Sequence, residues 1–234
     1  MFGKLYLIPV DLGHPSFEAL FPTLNREITS TLTHFVVENQ KSARRSLKLI
    51  FPEIKQGELS LLTLDKNTSE LDLNPALDWL KSGKNVGVVS EAGVPSIADP
   101  GSLMVKLAHA QNIEVIPLIG PCSIFLALSA SGLSGQSFVF HGYIPIDKAE
   151  KTRFIKEMEK ATGRNQAQIF METPYRNNQM LEDLLSVCKE DTLLCIACDL
   201  TLPNQYIKTQ TIGKWKKLKT EDLHKRPCIF ILGN

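Results

Sequence analysis

One loop carries most of the residues suited to ligand chemistry. Residues 90–101 read SEAGVPSIADPG and follow a β-branched run, 86–89, with the composition of a buried strand. In an open parallel sheet, ligands bind beyond the carboxyl ends of the strands, and glycine there lets the backbone approach a ligand closely. Gly93 is therefore a candidate ligand contact, and Glu91 is a carboxylate that can act as a general base. Asp99 has a plainer interpretation as the cap of the helix that follows.

The sequence lacks the motifs of several common enzyme classes. No G-x-G-x-x-G follows the first predicted strand, and neither G-x-x-x-x-G-K-[ST] nor G-x-S-x-G occurs. These absences argue against an NAD-dependent dehydrogenase, a phosphate-loop NTPase, a common Rossmann methyltransferase and a serine hydrolase. The histidines have no mutual spacing suited to a metal, so no metal site is predicted.

Charge and hydropathy limit the partners. The 234 residues include 26 basic and 25 acidic side chains, a formal net charge of +1, so a polyanion must be met by local patches. The most apolar stretch, 113–133, is interrupted by Glu114, Pro117, Gly120 and Pro121. We therefore expect no membrane span and a soluble protein.

The N-terminus and the cysteines indicate a compartment. The first residues run directly into a strand pattern without the features of a secretory signal, which predicts a cytoplasmic location. Five cysteines, an odd count, do not suggest a disulfide framework, and a reducing compartment would keep them as thiols. Cys195 and Cys198 form a C-x-x-C pair, but residues three apart on a strand point to opposite faces, so we interpret both as structural.

Hydrophobic periodicity predicts an α/β fold with two domains. In the first half, strands are predicted at 5–10, 32–37, 59–64, 86–89 and 115–118, with helices at 41–51, 75–82 and 103–110. This alternation indicates a parallel sheet with helices on both faces. The sequence IPLIGP concentrates backbone-restricting residues, so we place the domain boundary there and expect domains 1–118 and 119–234.

The second half has a different pattern. Helices are predicted at 123–131, 148–161 and 178–187, and strands at 138–143, 168–171, 193–197, 206–212 and 228–232. The last strands are joined by little helix. We therefore expect a mixed sheet that is partly antiparallel.

Several segments, taken in order, carry a family resemblance. Residues 90–101 are similar to S-D-A-G-T-P-x-I-x-D-P-G. LIGPCS and ALSASGL, at 118–123 and 127–133, are similar to P-L-P-G-P-C-A and A-L-S-A-S-G-L, and FVFHGYIP at 138–145 to F-x-F-x-G-F-L-P. LYLIP at 5–9 and FMETPYR at 170–176 are similar to L-Y-x-V-P and F-Y-E-S-P-x-R. The chain thus resembles the small-subunit ribosomal RNA methyltransferase I family of the tetrapyrrole methylase superfamily over most of its length.

The resemblance implies a fold, a cofactor and a reaction. It implies a homodimer of two-domain α/β subunits with S-adenosylmethionine in the cleft between the domains, and methyl transfer to a ribose 2′-hydroxyl of a cytidine in small-subunit ribosomal RNA. Glu91, in place of the family's usual Asp, is the catalytic candidate, with ligand positioning or a solvated side chain as the alternative. The implied cofactor contacts are Pro9, Ser90, Glu91, Ala92, Gly93, Ile97, Pro121, Cys122 and Ser123, with Met171, Glu172, Ala197, Cys198 and Leu200 in the second domain.

Departures from the family pattern bear on the substrate. VDLGH at 10–14 stands where the family has T-P-I-G-N, and ENQK at 38–41 replaces E-D-T-R. ACDLT at 197–201 retains only part of A-R-E-L-T-K and loses both basic residues. These changes leave the cofactor assignment intact.

Two basic stripes at helical spacing are candidates for binding RNA phosphates. They are Lys41, Arg44, Arg45 and Lys48, and Lys148, Lys151, Arg153, Lys156 and Lys160. A solvated helix face explains either stripe equally well.

Two other functions stay open, because a fold alone does not determine a substrate. One is a methyltransferase of the same fold that acts on a tetrapyrrole or another small molecule, and the other is a catalytically inactive protein that binds S-adenosylmethionine.

Overall fold

The chain forms two compact units, each built on its own sheet. A computed structural model describes residues 1–219 and 221–234 and divides the chain into Met1–Cys122 and Ser123–Asn234. Each unit contains a five-stranded sheet with helices packed on it. The predicted α/β class is confirmed.

The first unit is a parallel sheet. Its strands lie in the order β3-β2-β4-β1-β5 and all pair in parallel. Its elements are β1 (Leu5–Leu7), α1 (Thr23–Ser30), β2 (His34–Val37), α2 (Gln40–Ile50), β3 (Ser60–Thr63), α3 (Asn74–Lys81), β4 (Val86–Val89), α4 (Gly101–Ala110) and β5 (Val115–Pro117).

Alternate strand residues bury against helices on both faces of this sheet. Leu5, Val36 and Val88 pack in one cluster with side chains of α3 and α4. Phe35 and Val89 pack in another with side chains of α2. Because successive strand side chains point to opposite faces, β-branched runs without polar alternation are what a doubly covered strand requires. The expected helices on both faces are confirmed.

The helices α1 and α2 differ in how their N-termini are capped. Asn39 caps α2, since its side chain accepts hydrogen bonds from the amides of Lys41 and Ser42. α1 was not predicted from the sequence. Its N-cap residue, Pro22, makes no side-chain capping bond, and the helix has no acidic residue in its first turn. Without a cap or first-turn signal, this short polar helix depends on tertiary packing, which includes an Asn25 amide donating to the Ile119 carbonyl at 2.9 Å.

The second unit has the expected mixed sheet. Its strands lie in the order β6-β7-β10-β8-β9, with β6 and β7 parallel and the other pairs antiparallel. Its elements are α5 (Ser123–Ser131), β6 (Phe138–Tyr143), α6 (Lys148–Thr162), β7 (Ala167–Met171), α7 (Asn177–Val187), β8 (Leu193–Cys198), β9 (Tyr206–Thr211), α8 (Ile212–Trp215) and β10 (Cys228–Gly233).

Aromatic side chains fill the core of this unit. Phe170 on β7 and Phe230 on β10 stack with ring centroids 5.6 Å apart, and both are fully buried. Trp215 on α8 is also buried, and its indole nitrogen donates to the Leu194 carbonyl at 2.9 Å. The indole thus satisfies its polar group while it contributes apolar area to the core.

The cysteines depart from expectation. Cys198 on β8 and Cys228 on β10 are directly opposite in the antiparallel register, with Cα atoms 4.3 Å apart, and form a disulfide. The prediction that all five cysteines are thiols is therefore wrong for this pair, because the pairing arises from strand register across 30 residues of sequence. Cys122, Cys188 and Cys195 are free, and burial raises the pKa of the Cys188 thiol to about 12.

No helix in residues 1–219 and 221–234 combines the length and apolar character needed to cross a membrane.

Gly87 tests how tightly the parallel sheet packs. A Cβ added there would lie 2.6 Å from Ile8 Cδ1 and 2.7 Å from Phe35 Cδ1, and both side chains are fully buried. We therefore expect Gly87→Ala to lower the free energy of unfolding by about 1–3 kcal/mol through overpacking. Gly57→Ala is the matched control, since no described atom lies within 4 Å of its added Cβ. Urea unfolding compares them, and equal stabilities of the two variants would contradict the packing described here.

Candidate functional site

The site lies at the carboxyl edge of the first unit's sheet. Because the strands are parallel, the residues that follow β1, β2, β3, β4 and β5 all emerge at the same edge. Glu38 follows β2 directly, Asp65 comes soon after β3, and residues 90–100 form the loop between β4 and α4. The loop identified from the sequence therefore lies beside two carboxylates from neighbouring strands.

Gly93 joins three of the segments predicted to contact the cofactor. The Val10 amide donates to the Gly93 carbonyl at 2.9 Å in an isolated antiparallel bridge. Gly93 has φ +70°, and a Cβ there would lie 3.1 Å from the Pro121 carbonyl oxygen. Gly120 in turn abuts Pro9, since its added Cβ would meet the proline ring at 2.3 Å. The structure thus brings Pro9, Gly93 and Pro121 together, with Gly93 facing protein atoms.

The other predicted contacts of this edge differ in exposure. Ser90 is buried, and its hydroxyl donates to the Ala92 carbonyl at 3.3 Å. Ala92 and Ile97 are exposed. Cys122 and Ser123 are half-buried and lie just before and at the start of α5, respectively.

Asp99 anchors the second half of the loop. Its Oδ1 accepts from the amides of Ser96, at 3.0 Å, and Gly101, at 2.7 Å. Asp99 thus satisfies the amide of Gly101, the first residue of α4, but it is not the N-cap residue, which is Pro100 and makes no side-chain capping bond. Ser96 and Ala98 nevertheless have φ of +71° and +65°, a left-handed conformation that costs energy for residues with a side chain.

The Asp99 carboxyl is also poorly satisfied. Its Oδ2 is buried and has no hydrogen-bond partner within residues 1–219 and 221–234. Burial raises the pKa of Asp99, although the hydrogen bonds from Gly101, Ser96 and Ile97 oppose that shift. The loop therefore stores unfavourable electrostatics as well as backbone strain.

An acidic cavity opens over the ends of β2, β3 and β4. It has a volume of about 810 Å³, and its lining includes four carboxylates and one ammonium group, those of Glu38, Asp65, Glu91, Asp99 and Lys66. The Glu91 carboxylate, exposed, accepts a hydrogen bond from the Ser42 hydroxyl on α2. Burial raises the pKa of Glu38, and the charges of Asp99 and Glu91 raise it further.

Glu38 and Asp65 were not assigned to the site from the sequence. Each follows a predicted strand of the same parallel sheet, which is the signal that identified residues 90–101. A search for acidic residues just after every predicted strand of this sheet would therefore have found both Glu38 and Asp65.

The site residues predicted in the second unit lie at the ends of β7 and β8, and most of them are buried. Met171 is the last residue of β7. The Glu172 side chain is only 1% exposed, and its Oε1 forms an ion pair with Arg176 and accepts a hydrogen bond from the Thr173 amide. The side chains of Ala197, Cys198 and Leu200 are buried around the end of β8. Asp199 between them bonds Arg226 at 2.7 Å.

The edge of the first unit suits an adenosyl group. Besides the Lys66 ammonium group and the Asn39 and Asn67 amides, its polar groups include carbonyls, hydroxyls and carboxylates, which accept hydrogen bonds from ribose hydroxyls and an adenine amine and favour a sulfonium cation. The exposed Ile97 and Ile119 side chains offer apolar cover at the ends of these strands. The residues present therefore fit S-adenosylmethionine, which carries no phosphate.

The basic stripes are only partly free for a ligand. On α2, Arg44 donates to the Gln56 carbonyl at 2.6 Å, and Lys48 bonds the Pro52 carbonyl, whereas Lys41 and Arg45 are exposed. On α6, Lys151 pairs with Asp183 at 2.8 Å. Lys148, Arg153, Lys156 and Lys160 make no ion pair within the described part of the chain.

Comparison with known proteins places this geometry in a family context. The sequence profile of the tetrapyrrole (corrin/porphyrin) methylases matches residues 23–215. The chain is 31% identical over 233 residues to the "Ribosomal RNA small subunit methyltransferase I" of Bacillus subtilis (strain 168), covering 99% of this chain and 76% of that protein.

Two solved structures share the fold. The methyltransferase CobJ superposes with a TM-score of 0.64 at 20% identity, covering 99% of this chain and 94% of that one. The uroporphyrin-III C-methyltransferase from Thermus thermophilus, complexed with S-adenosylhomocysteine, gives a TM-score of 0.55 at 13% identity, with coverage of 99% and 98%. The fold predicted from the sequence is confirmed.

The raised pKa of Asp99 predicts how stability depends on pH. Between its ordinary value of 3.8 and the raised value, the folded protein binds more protons than the unfolded chain, so ionisation of Asp99 lowers stability as pH rises. Asp99→Asn keeps an Oδ1 acceptor and removes the charge. Urea titrations give the free energy of unfolding of each protein. We expect the value for Asp99→Asn minus the value for the wild type to increase from about pH 4 to about pH 7, because only the wild type loses stability as Asp99 ionises.

Asp72→Asn provides a control of opposite sign. Hydrogen bonds from Ser69 lower the pKa of Asp72, so its stabilising contribution is present above the ordinary value and lost as pH falls through the lowered one. The same difference should therefore decrease with pH for Asp72→Asn. A difference independent of pH for Asp99→Asn would contradict the raised pKa.

Proposed function

Because the chain belongs to the tetrapyrrole (corrin/porphyrin) methylase family and is an S-adenosylmethionine-dependent methyltransferase, we propose that it methylates a ribose 2′-hydroxyl of a cytidine in small-subunit ribosomal RNA. The relative from Bacillus subtilis, named for the small ribosomal subunit, matches nearly the whole chain and supports this substrate.

The acidic cavity is the observation that carries the choice of substrate. Four carboxylates and one ammonium group repel the carboxylate side chains of a tetrapyrrole and equally the phosphates of RNA, so what the cavity can receive is an uncharged part of a substrate. A nucleoside instead offers hydroxyl and amino donors, which carboxylates accept, as Glu and Asp do from the cytosine amine. The cavity therefore favours a nucleoside over a tetrapyrrole.

The cofactor contacts proposed in the first unit lie at and beside the loop after β4. S-adenosylmethionine, when bound, supplies the methyl group on a positively charged sulfur. In the first unit, Pro9, the backbone of 90–93 and Pro121 are joined by the contacts at Gly93, so they hold one another in place. The other proposed contacts are Ile97, Cys122, Ser123, Met171, Glu172, Ala197, Cys198 and Leu200.

The RNA backbone needs cations outside the acidic cavity. Affinity for RNA comes largely from Lys and Arg that neutralise phosphates. Lys41 and Arg45 on α2, and Arg153, Lys156 and Lys160 on α6, suit this role. Phosphates would thus be bound at these helices while the carboxylates receive the nucleoside.

We also propose a cytoplasmic homodimer. Phe125 on α5 and Phe138 on β6 are exposed with ring centroids 6.0 Å apart, and their sequence neighbours Leu126 and Val139 are also exposed. Exposed apolar patches of this kind are typical of association surfaces. A ribosomal substrate supports the proposed cytoplasmic location, since ribosomal subunits are found in that compartment.

Methyl transfer to isolated ribosomal subunits tests the proposed substrate. We expect the purified protein to transfer labelled methyl from S-adenosylmethionine to small subunits of a strain that lacks it, and mapping of ribose methylation to locate the label on a cytidine. The rate at limiting substrate should fall with added salt, because phosphate contacts are screened. Methylation of a precorrin but not of RNA would overturn the proposal in favour of a tetrapyrrole substrate.

Gly93→Val tests the proposed cofactor contacts. A β-branched side chain at φ +70° is strained and would press on the Pro121 carbonyl, so it displaces the segments that Gly93 joins. We expect affinity for S-adenosylhomocysteine, measured by calorimetric titration, to fall about tenfold or more, equivalent to about 1.4 kcal/mol.

Gly132→Val is the matched control for this strain. Gly132 has φ +73°, but no described atom lies within 4 Å of its added Cβ. Its affinity for S-adenosylhomocysteine should match that of the wild type. Wild-type affinity in Gly93→Val would show that this loop does not form the cofactor site.

A further inference from the structure

The carboxyl edge of the first sheet divides into two halves. Pro9, residues 90–93 and Pro121, the proposed cofactor contacts, follow β1, β4 and β5. The acidic cavity opens instead over the residues that follow β4, β2 and β3. In the sheet order β3-β2-β4-β1-β5, the loop after β4 belongs to both halves. If the proposed function holds, the half at β2 and β3 receives the nucleoside.

Three of the four carboxylates in this cavity each accept hydrogen bonds on one oxygen or lie exposed. Asp99 uses Oδ1 for the amides of Ser96 and Gly101, and its Oδ2 is buried from solvent. Asp65 accepts the Asn67 amide at 2.8 Å and the Thr68 hydroxyl at 3.2 Å within its own turn. Glu91 is exposed and accepts from the Ser42 hydroxyl.

Glu38 also accepts a backbone hydrogen bond from Glu91, but its position suits proton transfer. It follows β2 without a connecting turn, is half-buried, and its amide bonds the Val89 carbonyl at the end of β4 at 3.4 Å. We propose that Glu38 is the catalytic carboxylate that accepts the proton of the ribose 2′-hydroxyl, and that Asp99 is a positioning residue that acts through it. The role that the sequence suggested for Glu91 thereby passes to its neighbour in the cavity.

Asp99 acts on Glu38 at short range. Both residues line a second cavity of about 10 Å³, walled by Val36, Val89 and Ser90, which is close to the space that one water occupies. Burial raises the pKa of Glu38, the Asp99 and Glu91 charges add to this, and a backbone hydrogen bond from Glu91 opposes it. A carboxylate with a raised pKa is the stronger proton acceptor near neutral pH.

The other charged groups at the cavity are few. Asp65 and Lys66 face it from the loop after β3, and Glu91 and Asp99 from the loop after β4. Asn39, the N-cap residue of α2, and Ser42 in its first turn are neutral. Glu38 therefore titrates among three carboxylates and one ammonium group.

The methyl transfer breaks the ribose O–H bond and a carbon–sulfur bond and forms a carbon–oxygen bond. The ribose oxygen gives its proton to a Glu38 carboxylate oxygen while its electron pair forms the bond to the methyl carbon. The pair of the broken carbon–sulfur bond stays on sulfur, which becomes the neutral thioether of S-adenosylhomocysteine. Glu38 then releases the proton to water, which restores the carboxylate.

Titration of the unliganded protein tests the environment of Glu38. We expect ¹³C NMR of the Glu side chains to give a higher pKa for Glu38 than for Glu53, an exposed residue outside the cavity, and Asp99→Asn to lower the Glu38 value. Glu38 and Glu53 titrating together, or no response to Asp99→Asn, would overturn the assignment.

The pH dependence of kcat tests the role itself. We expect Glu38→Gln to lose about a hundredfold or more in kcat, while its affinity for S-adenosylhomocysteine stays within about twofold of wild type. Glu53→Gln, the same chemical change outside the cavity, is the control and should retain wild-type kcat. In Asp99→Asn the acid limb of the kcat profile should move to lower pH, whereas a merely structural role would leave the limb in place.

The outcomes separate this inference from the proposed function. Wild-type protein that transfers no methyl group to ribosomal RNA overturns the proposed function. Active wild type with Glu38→Gln within about threefold of its kcat overturns only the Glu38 assignment, as does a larger loss in Glu91→Gln than in Glu38→Gln.

Discussion

The hydrogen bond from the Val10 amide to the Gly93 carbonyl is the contact on which the site depends. It joins the loops that follow two neighbouring parallel strands, β1 and β4, at 2.9 Å. Gly93 permits it by adopting φ +70°, and the same conformation leaves room only for hydrogen where the Pro121 carbonyl approaches. This contact joins the loops after β1 and β4, and the loop after β5 packs closely beside it, so the cofactor contacts proposed in the first unit depend on this arrangement.

The sequence predicted most elements because burial on both faces gives strands an unmistakable composition. Val86–Val89 and Cys228–Gly233 are fully buried, and each was recognised as an apolar run. The α1 helix escaped prediction because it is polar and uncapped, so only tertiary contacts indicate it. The disulfide escaped for a related reason, since Cys198 and Cys228 meet through strand register, which the sequence does not display.

The candidate site was predictable in part. The loop at 90–101 stood out because it concentrates glycine, proline and acidic residues after a strand. Glu38 follows a predicted strand but lacks a loop of this composition, and its place beside residues 90–101 depends on β2 lying next to β4 in the sheet, a non-local fact. The basic stripes show that helical spacing alone can overestimate a binding surface. Spacing places Arg44 on the basic face of α2, but it does not reveal that the Arg44 guanidinium already donates hydrogen bonds to Gln56.

The energetics of the loop after β4 argue that it is kept for function. Ser96 and Ala98 are left-handed, and the Asp99 Oδ2 is buried without a partner in the described chain, features that each cost about 1–3 kcal/mol. A loop under selection only for stability would relieve them with glycine or with an uncharged acceptor such as asparagine. Instead, the unfavourable features converge beside Glu38, where a second buried negative charge makes a carboxylate more basic. The buried Asp99 carboxylate that destabilises the loop thus also helps to raise the pKa of Glu38, which makes Glu38 a better proton acceptor.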